Sequence, residues 1–225
     1  MRFKKFVAGL LAATSLVSLF AVNVMADEVK LESVKIDSYH FSDAEFRTFV
    51  SGYDTNKDGT LSALENSKIT SIDFNDNKKI ESLDGIKYLN CLESIKISRT
   101  NIAKLEMGGA KNLKYIEAQK APLRTINISE CTGLVHLDLY ATSLSGVDIS
   151  NNTSLIYLDI VETNITTINL IHNSELKKTI NTVTPYEKTW ISKPSLCYGK
   201  YGYTNDAVFV GYNKDCTVYT SCPDG

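Results

Sequence analysis

Histidine occurs three times and tryptophan once in 225 residues, and basic side chains do not outnumber acidic ones. The first scarcity leaves few parts for histidine-based catalysis. The second, 24 Lys and Arg against 26 Asp and Glu, offers no basic excess to a nucleic-acid backbone and excludes that class of function. Cysteines number five, which cannot pair completely within one chain. Apolar residues, by contrast, make up 43% and charged residues 22%, enough for a real core and outside the disordered range.

The one long apolar run lies at the start. Arg2, Lys4 and Lys5 precede Phe6 to Val22, and Val24-Met25-Ala26 stands before Asp27. Residues 1–26 therefore read as a secretory signal peptide; the alternative is an uncleaved anchor helix. Removal leaves 199 residues with a net charge of −5, and no further membrane segment. No cysteine sits at the cleavage point for a lipid anchor.

A repeat dominates the middle. Leu92, Leu113, Leu134, Leu155 and Leu176 recur every 21 residues. Counting from each leucine, position 4 reads Ile95, Ile116, Leu137, Leu158, and position 6 reads Ile97, Ala118, Leu139, Ile160. Position 9 reads Thr100, Ala121, Thr142, Thr163, and position 11 reads Ile102, Leu123, Leu144, Ile165. Positions 14 and 16 are apolar in every unit. This is the leucine-rich-repeat signature L-x-x-L-x-L-x-x-(N/C)-x-L with Thr where Asn is usual. The first half of each unit alternates as a short strand does, and the pair at 14 and 16 returns along another wall. Single coils cannot bury their edges, so they stack into a parallel solenoid. Position 9 is expected to bond the neighbouring coil's backbone. A weaker coil, Ile69 to Leu89, precedes the four regular units, and the fifth decays after Leu176. Cys91 and Cys131, nearly two coils apart, are expected to be buried free thiols.

Residues 27–68 form the expected N-terminal cap. Ser42 and Glu45 have the spacing of a capping box, Phe41 and Phe46 that of a hydrophobic staple. Phe46, Phe49, Val50 and Tyr53 mark one helical face. The twelve residues from Asp54 to Glu65 then match the EF-hand loop D-x-[DN]-x-[DN]-G-x5-E throughout. Asp54, Asn56 and Asp58 supply side-chain oxygens, Thr60 its carbonyl, Ser62 a held water and Glu65 a bidentate carboxylate. Hard oxygen donors at this spacing suit calcium, here as a structural ion. The departures are Asn66 where an apolar residue is usual, and the absence of a second EF-hand.

The order of 41–50, the Asp54–Glu65 loop, Ile69-Thr-Ser-Ile-Asp and Ile80-Glu-Ser-Leu-Asp-Gly-Ile resembles one family. It is that of secreted, internalin-like leucine-rich-repeat proteins of Gram-positive bacteria, many from gut commensals, here with an EF-hand- or dockerin-like loop. The resemblance covers residues 40 to about 178. It implies an extracellular or surface protein that binds other molecules, with no catalytic residues to carry over. No sortase-type tail or wall-binding repeat is visible, so free secretion and surface association both stay open.

The concave face is the expected binding surface. Position 3 reads Ser94, Tyr115, His136, Tyr157; position 5 reads Lys96, Glu117, Asp138, Asp159; position 7 reads Ser98, Gln119, Tyr140, Val161. Tyr115, His136, Asp138, Tyr140, Tyr157 and Asp159 thus converge as an exposed aromatic and acidic patch, suited to a protein or peptide with basic groups. Columns of a repeat give carboxylate pairs without selection for catalysis, and no nucleophile or Gly-rich loop accompanies them. The chain is read as a non-enzyme. Residues 181–225 carry 8 of the 21 aromatics, with Cys197, Cys216 and Cys222 as disulfide candidates and 207–219 as an expected β-hairpin. They are expected to cap the solenoid of residues 69–180. The alternative function is carbohydrate binding or surface adhesion through this aromatic region.

Overall fold

The computed structural model describes residues 33–180, 209–213 and 215–220. The expected signal peptide, Trp190, Cys197 and Cys222 lie outside these residues. The described residues from Val34 onward belong to one compact unit.

It begins with strand β1 (Val34–Lys35), helix α1 (Ala44–Ser51), strand β2 (Thr60–Leu61) and the single-turn helix α2 (Ala63–Asn66). The N-cap of α1 is Asp43 and not the expected Ser42: its Oδ1 accepts from the Glu45 and Phe46 N–H groups at 2.8 and 3.0 Å. Phe41 and Phe46 do pack together, buried edge to face at 5.6 Å, but with Asp43 as the cap they stand one residue off the N′ and N4 positions of the expected staple. A true capping box forms instead at α2, between Ser62 and Glu65.

The solenoid follows. Strands β3 (Ser71–Asp73), β4 (Ser94–Lys96), β6 (Tyr115–Glu117), β8 (His136–Asp138) and β9 (Tyr157–Asp159) pair in parallel, one from each coil. On the second wall β5 (Lys104–Glu106) pairs in parallel with β7 (Thr125–Asn127). Ile72, Ile95, Ile116, Leu137 and Leu158 stand in register, all buried. The leading leucines are buried too, each stabilising by roughly 1.5–3 kcal/mol relative to exposure. After each strand the chain turns through a non-glycine residue at positive φ: Asp76, Arg99, Lys120, Ala141 and Glu162, between 55° and 64°. From Asp76 to Ala141 that residue's N–H donates to the carbonyl of the next coil, which holds the strained turn.

Position 9 behaves differently from expectation. The Thr100, Thr142 and Thr163 hydroxyls donate to carbonyls three residues back, Ile97, Leu139 and Ile160, at 2.7 to 2.9 Å. A short side chain reaches its own turn sooner than a neighbouring coil. The fully buried side-chain bonds between coils come from position 19, which reads Ala110, Cys131, Asn152, Asn173. Asn152 Nδ2 donates to the Ile128 and Cys131 carbonyls, and Asn173 Nδ2 to those of Ile149 and Asn152. Cys131 is buried and its thiol pKa is pushed up to about 11, first by loss of water; Cys91, expected to be buried, is only half so.

At Leu176 the pattern of strands yields to helix α3 (Ser174–Ile180), after β10 (Thr167–Asn169). The hairpin expected over 207–219 does not form. Strand β11 (Phe209–Gly211) pairs in parallel with β9, and β12 (Thr217–Tyr219) in parallel with β10. The two strands thus add another coil to the stack. The Asn213 side chain closes it, accepting from Glu162 N–H and donating to the Thr163 carbonyl. Cys216 is buried with a free thiol, its S–H directed at the Thr217 carbonyl at 3.9 Å.

Candidate functional site

The Asp54–Glu65 loop is built by its own hydrogen bonds. Asp54 accepts from the Asp58 and Gly59 N–H groups at 3.2 and 2.9 Å, and Asn56 Oδ1 from Asp58 N–H at 3.1 Å. Lys57 and Gly59, at φ 59° and 77°, let the chain wind around these acceptors. Asp58 is held below the usual carboxylate range by the Thr60 hydroxyl and N–H, and feels the nearby Glu65 charge in the opposite sense. Glu65 reaches back across the loop. Its Oε1 accepts from the N–H and hydroxyl of Thr55, its Oε2 from those of Ser62, at 2.7 to 3.0 Å. These donors, the Ser62 pair first, bring its pKa down to about 2.

These are oxygen donors of the kind a calcium ion takes, although as they stand no group of three His, Cys, Asp or Glu among the described residues is drawn together closely enough to hold a metal ion. The acceptors of Asp54, Asn56 and Asp58 are pre-arranged by backbone donors, and Glu65 lies across from them within electrostatic reach of Asp58. Both Glu65 oxygens are already engaged, each by one N–H and one hydroxyl, so a bidentate role would require the hydroxyls of Thr55 and Ser62 to turn away. The edge of β2 inside the loop is covered by β1, with Val34 opposite Leu61 and Lys35 opposite Thr60. Asn66, unexpected after Glu65, is buried and donates to the Tyr88 carbonyl at 2.7 Å, tying the loop to the first coil. Asp43 Oδ2 adds bonds from the Glu81 and Ser82 N–H groups.

On the other face the structure brings all six expected residues together. Tyr115, His136 and Tyr157 stand in register on β6, β8 and β9 with rings stacked at 4.2 and 3.9 Å. Glu117, Asp138 and Asp159 form the parallel column beside them. The patch is not the exposed one expected. His136, Asp138 and Asp159 are only 3%, 2% and 6% exposed, and Tyr140 and Tyr157 are half-buried. Strands about 4.8 Å apart bring in-register rings to stacking distance, so each shields its neighbours. Burial, then the Lys96 charge, presses the His136 pKa down to about 3, so the ring is neutral. Burial raises Asp138 to about 6 and, with the Asp138 charge, Asp159 to about 7. Gln119 Nε2 and Tyr140 N–H donate to Asp138; Val161 N–H donates to Asp159 at 2.9 Å.

Comparison with known proteins bears on the scaffold. The functional domain of InlJ from Listeria monocytogenes aligns at a TM-score of 0.56 and 24% identity, over 64% of this chain and 32% of that one. The fold is leucine-rich-repeat and internalin-like. The match spans about a third of the length of that InlJ chain. The InlJ domain is described as including a cysteine ladder; the four regular repeats here, residues 92–175, hold one cysteine, Cys131. Two further L. monocytogenes proteins, an internalin InlF and an internalin C2, align at TM-scores of 0.39 and 0.38. Their identities are 18% and 14%, over 63% and 64% of this chain and 53% and 85% of theirs. No family model and no curated protein matches. No helix among the described residues is long and apolar enough to cross a membrane.

Proposed function

We propose that this chain is a secreted, non-enzymatic binding protein whose solenoid face recognises a protein or peptide, with a structural calcium ion in its N-terminal cap. The observation that carries this reading is the stack of parallel strands whose outer face presents the half-buried Tyr140 and Tyr157, beside the buried column of Tyr115, His136, Asp138 and Asp159. Rigid aromatics beside carboxylates on a fixed scaffold are the composition of an interaction hot spot. The leader-like residues 1–26 support export, and the internalin-like fold supports a surface or extracellular setting.

Affinity capture with the chain lacking residues 1–26 tests the binding role. Tyr115→Ala, Tyr140→Ala and Tyr157→Ala combined are expected to abolish retention of a partner that the unaltered chain captures from host or bacterial extracts. Undiminished retention removes the face from the reading.

Calcium would be held by Asp54, Asn56, Asp58, the Thr60 carbonyl, Ser62 and Glu65, neutralising acids that converge on the loop. Because Glu65 already anchors the loop through four hydrogen bonds, the cap is expected to stay folded in chelator. Calcium at a hundredfold excess over its Kd then adds about 2.7 kcal/mol, raising Tm on the order of 5 °C by calorimetry. An identical Tm in calcium and in chelator rules the ion out.

A further inference from the structure

We propose that the facing carboxylates of Asp138 and Asp159 are a proton-operated latch between the third and fourth regular coils, closed at mildly acidic pH and loosened at mildly alkaline pH. The inference goes beyond the binding reading and stands whether or not the face takes a partner.

Asp138 and Asp159 are in register on the adjacent parallel strands β8 and β9, about one strand spacing apart, and only 2% and 6% exposed. Their hydrogen bonds come from uncharged groups, Gln119 Nε2 and Tyr140 N–H for Asp138 and Val161 N–H for Asp159. Among the described residues, no Lys, Arg or His makes an ion pair with either aspartate. The neighbouring elements do not compensate them. On β6, Glu117 is in register with Asp138 and accepts from the Tyr115 and Ser98 hydroxyls, and Glu162 follows β9; both add negative charge. Lys96 of β4 lies over the Tyr115 ring and Lys120 over the Tyr140 ring. His136 of β8 is neutral. The in-register residues of β11, Phe209, Val210 and Gly211, are not titratable.

Two carboxylates this close and this short of water do not both ionise without a compensating charge. No cation among the described residues supplies it, so a proton does. When that proton leaves, two negative charges face each other across the ladder that joins the coils. The bonds at stake are those from Leu139 and Ala141 N–H to the Asp159 and Val161 carbonyls, and from Ile156 and Tyr157 N–H to the Val135 carbonyl.

The sign of the pH effect follows from three groups. Burial first, then the acidic neighbours, puts the folded-state pKa values of Asp138 and Asp159 at about 6 and about 7, above the ordinary aspartate value of 3.8. The stability they contribute is therefore full below about pH 4 and lost as pH rises through those values. His136 acts in the opposite sense. Its pKa is pressed from 6.5 down to about 3, so its contribution is full above pH 6.5 and lost as pH falls. Up to two extra protons on the pair outweigh the one that His136 refuses, so net stability falls as pH rises from about 4 to about 7. Carboxylates held below their ordinary range, such as Asp58 and Glu65, act only at lower pH.

Calorimetry of the chain lacking residues 1–26 at about pH 5 and about pH 8 tests the latch. Tm is expected to be lower at pH 8 by on the order of 5 °C. Asp159→Asn, which cannot ionise, is expected to raise Tm at pH 8 and to flatten or reverse the fall. Asp148→Asn, the same change at an exposed position on the other wall, is expected to keep the full fall. Hydrogen exchange, corrected for its intrinsic pH dependence, is expected to show β9 losing more protection than β4 at pH 8. Carbon-13 NMR of the carboxyl groups needs no variant: at least one of the two aspartates is expected to titrate above about pH 5.5. A Tm that is level or rises from pH 5 to pH 8, or both carboxyls titrating below about pH 5, overturns the inference. So does an Asp159→Asn variant with the parent's full fall, or equal loss of protection at β4 and β9.

Discussion

Replacing Gly85 by alanine is expected to destabilise the protein by on the order of 3 kcal/mol or more, visible as a large fall in the denaturant midpoint. Gly85 sits at φ 103°, where a side chain is strained whatever its surroundings. The surroundings make it worse. A Cβ there would lie 2.1 Å from the His40 carbonyl oxygen and 2.7 Å from Phe41 Cδ1. The first is backbone, and the second belongs to a fully buried ring held by Phe46 at 5.6 Å and Tyr88 at 6.0 Å, so neither yields cheaply. Gly85 opens the 3-10 turn Ile86–Tyr88 of the first coil, and His40 and Phe41 lead into α1. The clash therefore acts on the seam between cap and solenoid. Gly59 provides the control. It too has positive φ, 77°, but an added Cβ meets nothing within 4 Å, so Gly59→Ala is expected to cost only about 1 kcal/mol. Equal midpoints for the two variants contradict the packing argument.

The seam shows what sequence reasoning reached and where it stopped. The 21-residue columns were legible because burial repeats: every position marked apolar at 4, 6 and 11 is buried, and only Ile126 and Val147 at position 14 are half-buried. Asp43 was not legible as a cap, because Ser42 and Glu45 match a capping box one residue earlier, and the choice is decided by Glu81 and Ser82 bonding the other Asp43 oxygen 38 and 39 residues away. The segment Ala207 to Tyr219 alternates as any strand pair does. Alternation says which side chains share a face, not which partner lies alongside, and the partners here are about 50 residues upstream. The candidate face was legible in membership but not in exposure. Parity put His136, Asp138 and Asp159 on the outer side of their strands, yet the ring stacking and burial that set their protonation depend on neighbours from other coils. Position 19 carried a readable signal, Asn152 and Asn173 in the same column as Cys131, that hydrophobic periodicity passes over because the residues are polar.

That column leads to the second large effect. Asn152→Ala is expected to destabilise the solenoid by about 3 kcal/mol, comparable with deletion of a core leucine. Asn152 is fully buried, and its Nδ2 donates to the Ile128 carbonyl at 3.0 Å and the Cys131 carbonyl at 2.8 Å, both in the preceding turn of the coil. Alanine leaves both buried carbonyls without that donor and opens a void the size of an amide. Its own carbonyl in turn accepts from Asn173, so the disturbance passes to the next coil. Asn152→Asp discriminates the cause. It preserves volume but points oxygens at two carbonyls, so it is expected to be at least as damaging as alanine if donation is what matters. Because coils contact only their neighbours, loss of protection should concentrate C-terminal to the substitution. Hydrogen exchange is expected to show faster opening at β9 and β10 than at β3 and β4. A uniform loss of protection, or an Asn152→Asp variant as stable as the parent, would mean that the column fills space and does not stitch the coils together.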